Sequence, residues 1–398
     1  MEEIKNLWIY QTYDVFKTYD TGVKLDYVIL IFILFWIAIA VGKRLQDVRN
    51  KYWKTAFPFV LVFTFVEGLR YLRGVDYLNY ALIFKYQGEP SSLTELIYLF
   101  VQQSFHALNV PYWFPFVFYS LAWCLGLLYL LKDYRQSIKY ILPLFVLLSL
   151  GAFETFIRQS FAWGFVFMFM SELLKDNYKK ALLFVICSVL IHNGAFVFIL
   201  IILCVRLIKR PANPYLMILL YLFGMVAFNA SNLSYLASLI AKIPYLGDTV
   251  FGSYIANADR WFSADAVRDK FARSLLTKVG TSFFDISIII LGYLKIKYMR
   301  DTELKRNSLF YYNLFCLTVA LLQFVFTIEI PKRILTTFYG FAAFVLAWLF
   351  VDKTLINKYK SWYALLQLYL VVYFLKEILF ASNQLFIWDN LGQYYFNL

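Results

Sequence analysis

Charge is scarce in this sequence. Asp, Glu, Lys and Arg make up 16% of its 398 residues, where a soluble domain carries roughly 25%. Histidine is scarcer still, with two in the chain. Four cysteines, Cys124, Cys187, Cys204 and Cys316, all fall inside apolar segments and show no metal-ligand spacing. They read as small buried hydrophobes, which argues against a zinc site or a disulfide framework. There is no P-loop, no GxGxxG opening a helix, no HExxH and no GxSxG, so nothing points to nucleotide use or zinc hydrolysis. No signal-peptide cleavage pattern is seen over residues 1–25, and the first apolar run begins at Asp26. The chain shows no soluble domain and no repeat of fixed period.

What fills the chain is apolar. Hydrophobic residues reach 62% with a mean hydropathy of +0.63, beyond the roughly 45–50% of a soluble domain, so much of this surface must be solvated by lipid. Apolar runs long enough to approach a bilayer span of about 20 residues occupy 26–42, 53–69, 112–131, 141–157, 159–174, 181–205, 214–230, 279–296, 308–328, 334–351 and 361–380. The expected fold is an all-α polytopic membrane protein with about 11–12 transmembrane segments in one integral membrane domain, 1–398. The net charge of +13 does not signal nucleic acid, because the basic residues recur in short clusters between apolar runs, as the positive-inside rule has it. The 32 Tyr and 42 Phe suit bilayer packing and interfacial belts.

Those clusters set an orientation. Lys43, Arg44, Arg49, Lys51 and Lys54 place the first loop in the cytoplasm, and Lys132, Arg135, Lys139, Lys175, Lys179 and Lys180 take the same side. Arg206, Lys209 and Arg210 then conflict, since only the run 181–205 separates them from Lys180. A break at His192-Asn193-Gly194, residues that tolerate a sharp reversal, resolves this by making 181–205 a helical hairpin or two short helices. Non-helical backbone at membrane depth needs protein or a water-filled cavity beside it, so the break itself points to a cavity. The longer connections, 70–111 and 231–278, then lie outside. Each carries an amphipathic stretch, near 93–106 and 262–276, expected as an interfacial helix. The working face is the outer one.

Basic residues outside are the anomaly. Arg70 and Arg73 come after the second run, and Arg158 sits between two apolar runs with no polar loop. Arg260, Arg268, Lys270 and Arg273 lie in the second external connection, and Lys332 and Arg333 separate the ninth and tenth runs. Guanidinium groups grip phosphate oxygens through a fixed fork, which points to an outward cavity for a diphosphate. The bland reading is snorkelling toward lipid headgroups. Arg158 is the sharpest case, because an ionisable group in such a setting marks function by default; the alternative is a structural pair with Glu154 at i,i+4. His192 suits proton transfer or a phosphate contact, or else a satisfied core position. His106, on the amphipathic stretch, reads as structural. Asp76 beside the arginine pair either takes a proton or caps a helix over Leu78 and Asn79. Tyr77 and Tyr80 come next, and Glu329 near Lys332 and Arg333 is a second carboxylate of the same kind.

On these residues the sequence resembles the EpsG-like family of bacterial exopolysaccharide proteins, relatives of the Wzy O-antigen polymerases. The resemblance rests on an arginine-rich exit followed by Gly74, Asp76 and Tyr80 as Gly-x-Asp-x-x-x-Tyr. It rests also on Ile157-Arg158-Gln159 opening an apolar helix, and on Lys179-Lys180 leading through an apolar run to His192. It covers about residues 65–205; beyond that only the span pattern and Arg333 before Tyr339 correspond. It implies a glycosyltransferase-C-like membrane fold and polymerisation of undecaprenyl-diphosphate-linked repeat units, donor and acceptor both on that carrier. The expected setting is the outer face of the bacterial inner membrane, making O-antigen, capsule or exopolysaccharide. No cofactor or metal is implied, and a chain-length regulator is a further expected partner. Under it Arg158, His192 and Asp76 are the catalytic candidates, and Arg70, Arg73, Gln159, Lys332 and Arg333 bind the diphosphate. Tyr77, Tyr80, Arg260, Arg268, Lys270, Arg273 and Glu329 bind sugar. The competing readings are a flippase of lipid-linked sugars, which would share a cationic cavity, and a ligase using the same donor.

Overall fold

The computed structural model describes residues 23–74, 76–86, 95–227, 274–299, 302–326, 329–379 and 384–388. Helices dominate: α1 (Leu25–Leu45), α2 (Tyr52–Gly68), α3 (Tyr77–Tyr86), α4 (Leu96–Ala107), α5 (Phe114–Leu131), α6 (Ile138–Thr155), α7 (Ile157–Leu174), α8 (Tyr178–Ile191), α9 (Ala195–Leu207), α10 (Pro214–Ala227), α11 (Leu275–Tyr298), α12 (Thr302–Val325), α13 (Glu329–Phe338), α14 (Ala342–Val351), α15 (Lys353–Lys358) and α16 (Lys360–Leu379). The only strands among the described residues are the two-residue β1 (Arg70–Tyr71) and β2 (Leu385–Phe386), paired antiparallel. The chain is an all-α polytopic membrane protein.

Every apolar run found in the sequence contains helix. Among the described residues seven helical stretches are long and apolar enough to cross a membrane: Leu25–Leu45, Phe114–Tyr134, Ile138–Thr155, Leu275–Tyr298, Lys305–Val325, Pro331–Val351 and Lys360–Leu379. The others, α2 and α7 to α10, are shorter or more polar. Trp36, Phe57, Leu182, Leu219 and Leu368 stand exposed on their helices, the surface that lipid would cover. The run 181–205 breaks where Gly and Asn allow it: α8 stops at Ile191 and α9 starts at Ala195. Phe198 of α9 then meets Trp163 on the second turn of α7. The first amphipathic stretch is α4. The second, 262–276, lies almost wholly outside the described residues, and its last residues open α11.

The chain divides into two compact units, Met1–Leu203 with Leu370–Leu398, and Cys204–Tyr369. In the first, α7 packs between α5 and α8, α5 lies on α2, and α1 touches α2 and α6. The α5–α7 crossing is backbone against backbone: a Cβ on Gly126 would sit 2.0 Å from the carbonyl oxygen of Gly164. Small residues at such a crossing are how membrane helices approach closely. An aromatic core fills the space beside it, with Phe63 stacked on Trp123 at 5.1 Å and Phe153 against both. The basic loops meet at one end of this unit. Arg135 donates to the carbonyls of Leu45, Asp47 and Asn50 at the end of α1, satisfying acceptors that a helix terminus leaves open. Lys175 pairs with Asp133 at 2.7 Å. The start of α7 lies at the opposite end of α6.

In the second unit α12 packs on α10, α11, α13 and α14. Tyr311 stacks on Phe344 at 3.9 Å. Asp285, buried in α11, accepts hydrogen bonds from Tyr221 at 3.0 Å and Tyr339 at 2.8 Å. Such a group needs those partners, since an unsatisfied carboxylate inside apolar surroundings is costly.

Candidate functional site

The end of the first unit away from the basic loops gathers polar groups from α3, the head of α4, α7 and the turn between α8 and α9. A single residue, Phe156 (φ −104°, ψ 70°), separates α6 from α7. The Ser160 hydroxyl bridges the break by donating to the Phe153 carbonyl at 3.1 Å. Arg158 therefore projects from the first turn of α7 instead of continuing the face of α6. Its Nε donates to the Tyr80 hydroxyl at 2.5 Å and its Nη1 pairs with Glu95 Oε2 at 2.6 Å. The guanidinium lies over the rings of Tyr80 at 5.3 Å and Tyr98 at 5.5 Å, where the aromatic faces favour a cation.

Glu95 is the centre of the arrangement. It precedes α4 and is nearly inaccessible, with 4% of its side chain exposed. Its Oε1 meets His192 Nδ1 at 2.9 Å and accepts the Asn193 amide at 3.2 Å. Burial pushes the Glu95 carboxyl up, but the His192 hydrogen bond and the Arg158 charge outweigh it and hold the group below the usual carboxylate range. His192 and Arg158 remain partly open, at 25% and 19% of their side chains.

The two sequence motifs converge here for a visible reason. Gly74 has φ +90°, and a Cβ on it would lie 2.0 Å from the carbonyl oxygen of Glu154. Only glycine adopts that conformation cheaply and fits that gap. The close approach seats the start of α3 against the α6–α7 break, which delivers Tyr80 to Arg158. Gly74→Ala is expected to cost about 1–3 kcal/mol from backbone strain alone, with the clash added. A lowered melting temperature of the purified protein checks this; an unchanged melting curve would show that the turn tolerates a side chain.

Other candidates lie elsewhere. Arg70 and Arg73 face inward, 2% and 1% exposed. Arg70 donates to the Glu67 carbonyl and lies 5.0 Å from the Phe153 ring. Arg73 pairs with Glu154 at 3.0 Å, donates to the Val66 carbonyl at 2.7 Å, and lies over Tyr27 and Phe386. Both guanidiniums are thus turned onto protein groups, with Arg70 Nε and Arg73 Nε buried and without a hydrogen-bond partner among the described residues. The pairing of Arg158 with Glu154 does not form, because Arg73 holds Glu154 and Glu95 holds Arg158. Tyr77 is buried and stacked on Phe116 at 4.3 Å. Asp76 immediately precedes α3, its carbonyl accepting the Tyr80 amide at 3.2 Å. Gln159 is buried one residue past Arg158. His106 packs edge-on to Phe84.

Lys332 and Arg333 belong to the second unit, on α13. Lys332 Nζ lies 4.8 Å from the Phe326 ring, and the Arg333 carbonyl accepts from Thr337 at 2.8 Å. Glu329 opens the same helix, with its side chain outside what is described. Arg260, Arg268, Lys270 and Arg273 lie outside the described residues.

Sequence reasoning missed Glu95. It is a lone acid ahead of an amphipathic run, 63 residues from Arg158 and 97 from His192, and no local spacing links the three. Its place at the head of the amphipathic stretch was the only available signal.

A model of the EpsG family matches residues 53–394. The chain belongs to the EpsG family. The match extends well past the 65–205 stretch that carried the resemblance and takes in both compact units. No curated protein and no solved structure matches the chain. Membership in the EpsG family makes this a membrane protein of polysaccharide biosynthesis, and all three members of the Glu95–Arg158–His192 cluster fall inside the matched region.

Proposed function

We propose that the chain is a polymerase of undecaprenyl-diphosphate-linked oligosaccharide repeats, working at the outer face of the bacterial inner membrane. The observation that carries this reading is one carboxylate, Glu95, holding both a guanidinium and an imidazole that are still partly open. These are the two groups that glycosyl transfer from a diphosphate needs. The bond from donor C1 to the phosphate oxygen breaks, and its electron pair leaves with undecaprenyl diphosphate. A bond forms from the acceptor hydroxyl oxygen to C1, and the hydroxyl proton passes to His192. A diphosphate leaves readily, so charge stabilisation matters more than a general acid. Arg158 offers Nη2 for that, beyond the donors already given to Tyr80 and Glu95. Arg70 and Arg73 support this site by joining the end of α2, β1 and the end of α6. The donor glycan and the acceptor repeat are the partners.

Reconstitution with a lipid-linked repeat tests the proposal. A ladder of oligomers with release of undecaprenyl diphosphate supports it; movement of intact repeat units across the bilayer without a ladder would sink it. Among the described residues no three His, Cys, Asp or Glu side chains gather as ligands, and Arg158 supplies the counter-charge. Ladder formation is therefore expected to survive EDTA. Full loss with rescue by Mg²⁺ or Mn²⁺ would show that the diphosphate is bound through a metal.

A further inference from the structure

We infer that Glu95 is a positioning residue that locks His192 in one tautomer, proton on Nδ1, so that Nε2 faces the reacting hydroxyl as the proton acceptor. The inference rests on the proposed transfer reaction for its use, though not for its geometry.

An ionised carboxylate only accepts hydrogen bonds. Arg158 at 2.6 Å and the Asn193 amide at 3.2 Å both donate to Glu95, which keeps it in that state. The ring nitrogen 2.9 Å away, Nδ1, must then carry the proton. Nε2 is left with its lone pair and has no hydrogen-bond partner among the described residues. The carboxylate also grips consecutive residues, the His192 ring and the Asn193 amide, so the turn between α8 and α9 cannot rotate the imidazole away.

Gly194 completes the device. A Cβ there would lie 2.7 Å from His192 Nε2, so glycine is what leaves that nitrogen uncovered. Because Arg158 shares the carboxylate, the phosphate grip and the proton acceptor are tied to one anchor. Misplacing either group by an ångström costs roughly 10²-fold in rate. Among the described residues the charged group bonded to the imidazole is Glu95, which also holds Arg158, whose guanidinium lies over Tyr80 and Tyr98. In the reaction the acceptor O–H proton moves to Nε2 while Nδ1–H stays bonded to Glu95. The imidazolium then gives its proton to water.

The chain has two histidines, which makes a direct test practical. Full-length protein carrying nitrogen-15 histidine and the His106→Gln change shows a single imidazole in the membrane. Its nitrogen shifts at neutral pH are expected to report Nδ1 protonated and Nε2 bare. In Glu95→Gln the amide oxygen would face Arg158 and its NH₂ would face Nδ1. The tautomer should then reverse, and the rate of ladder formation should fall on the order of 10²-fold. Gly194→Ala should keep the tautomer and slow the ladder roughly 10²-fold. An Nε2-protonated imidazole with Glu95 intact overturns the inference whatever the polymer assay shows. So does a wild-type rate in Gly194→Ala. An Nδ1–H imidazole in a chain that forms no ladder leaves the positioning intact and sinks the polymerase reading instead.

Discussion

Arg158→Lys is expected to slow polymer formation roughly 10²–10³-fold, about 2–4 kcal/mol of barrier, in a protein that still inserts and folds. Lysine keeps the positive charge that Glu95 requires, so the carboxylate is not left buried and unpaired, which would itself cost about 3–5 kcal/mol. What lysine lacks is the planar fork. Arg158 holds Tyr80 through Nε and Glu95 through Nη1, which leaves Nη2 for the proposed phosphate contact. An ammonium on a flexible stem cannot satisfy both protein partners and still present a fixed donor to charge developing on the leaving oxygen. Initial rates of ladder formation, set beside binding of undecaprenyl diphosphate and a melting curve, check this. Glu154→Gln is the control, because Glu154 belongs to Arg73 and not to Arg158. Its effect should appear in stability. A normal ladder from normally folded Arg158→Lys protein would remove Arg158 from the chemistry.

His192→Gln is expected to cost roughly 10²–10⁴ in rate, the usual contribution of a positioned acid or base. Glutamine is close in size, and its amide NH₂ can still donate to Glu95, so the Glu95–Arg158 pair should survive. No nitrogen then remains with a near-neutral basicity to take the hydroxyl proton. A variant with the wild-type rate would return the role to Asp76, one turn ahead of Tyr80.

Much of this was legible in one dimension. Apolar runs locate helices because a bilayer-spanning segment must satisfy its own backbone and dress it with apolar side chains, and each run found in the sequence contains helix. The break at His192-Asn193-Gly194 was readable from a charge conflict. Arg158 stood out because a charge between two apolar runs needs a partner.

The partner was not readable. Glu154 is four residues from Arg158, the spacing that favours a pair on a continuous helix. The kink at Phe156 ends that helix, and Glu154 goes to Arg73 instead. Arg70 and Arg73 read from the sequence as part of an outward diphosphate cavity; in the fold, with β1 paired to β2 and Gly74 seated against Glu154, both side chains are buried. Hydropathy and charge depend on each residue's own transfer energy, so the sequence by itself determines where helices form and which ionisable groups stand out. Which of those groups share a carboxylate depends on packing between elements 63 and 97 residues apart, and that only the tertiary structure decides.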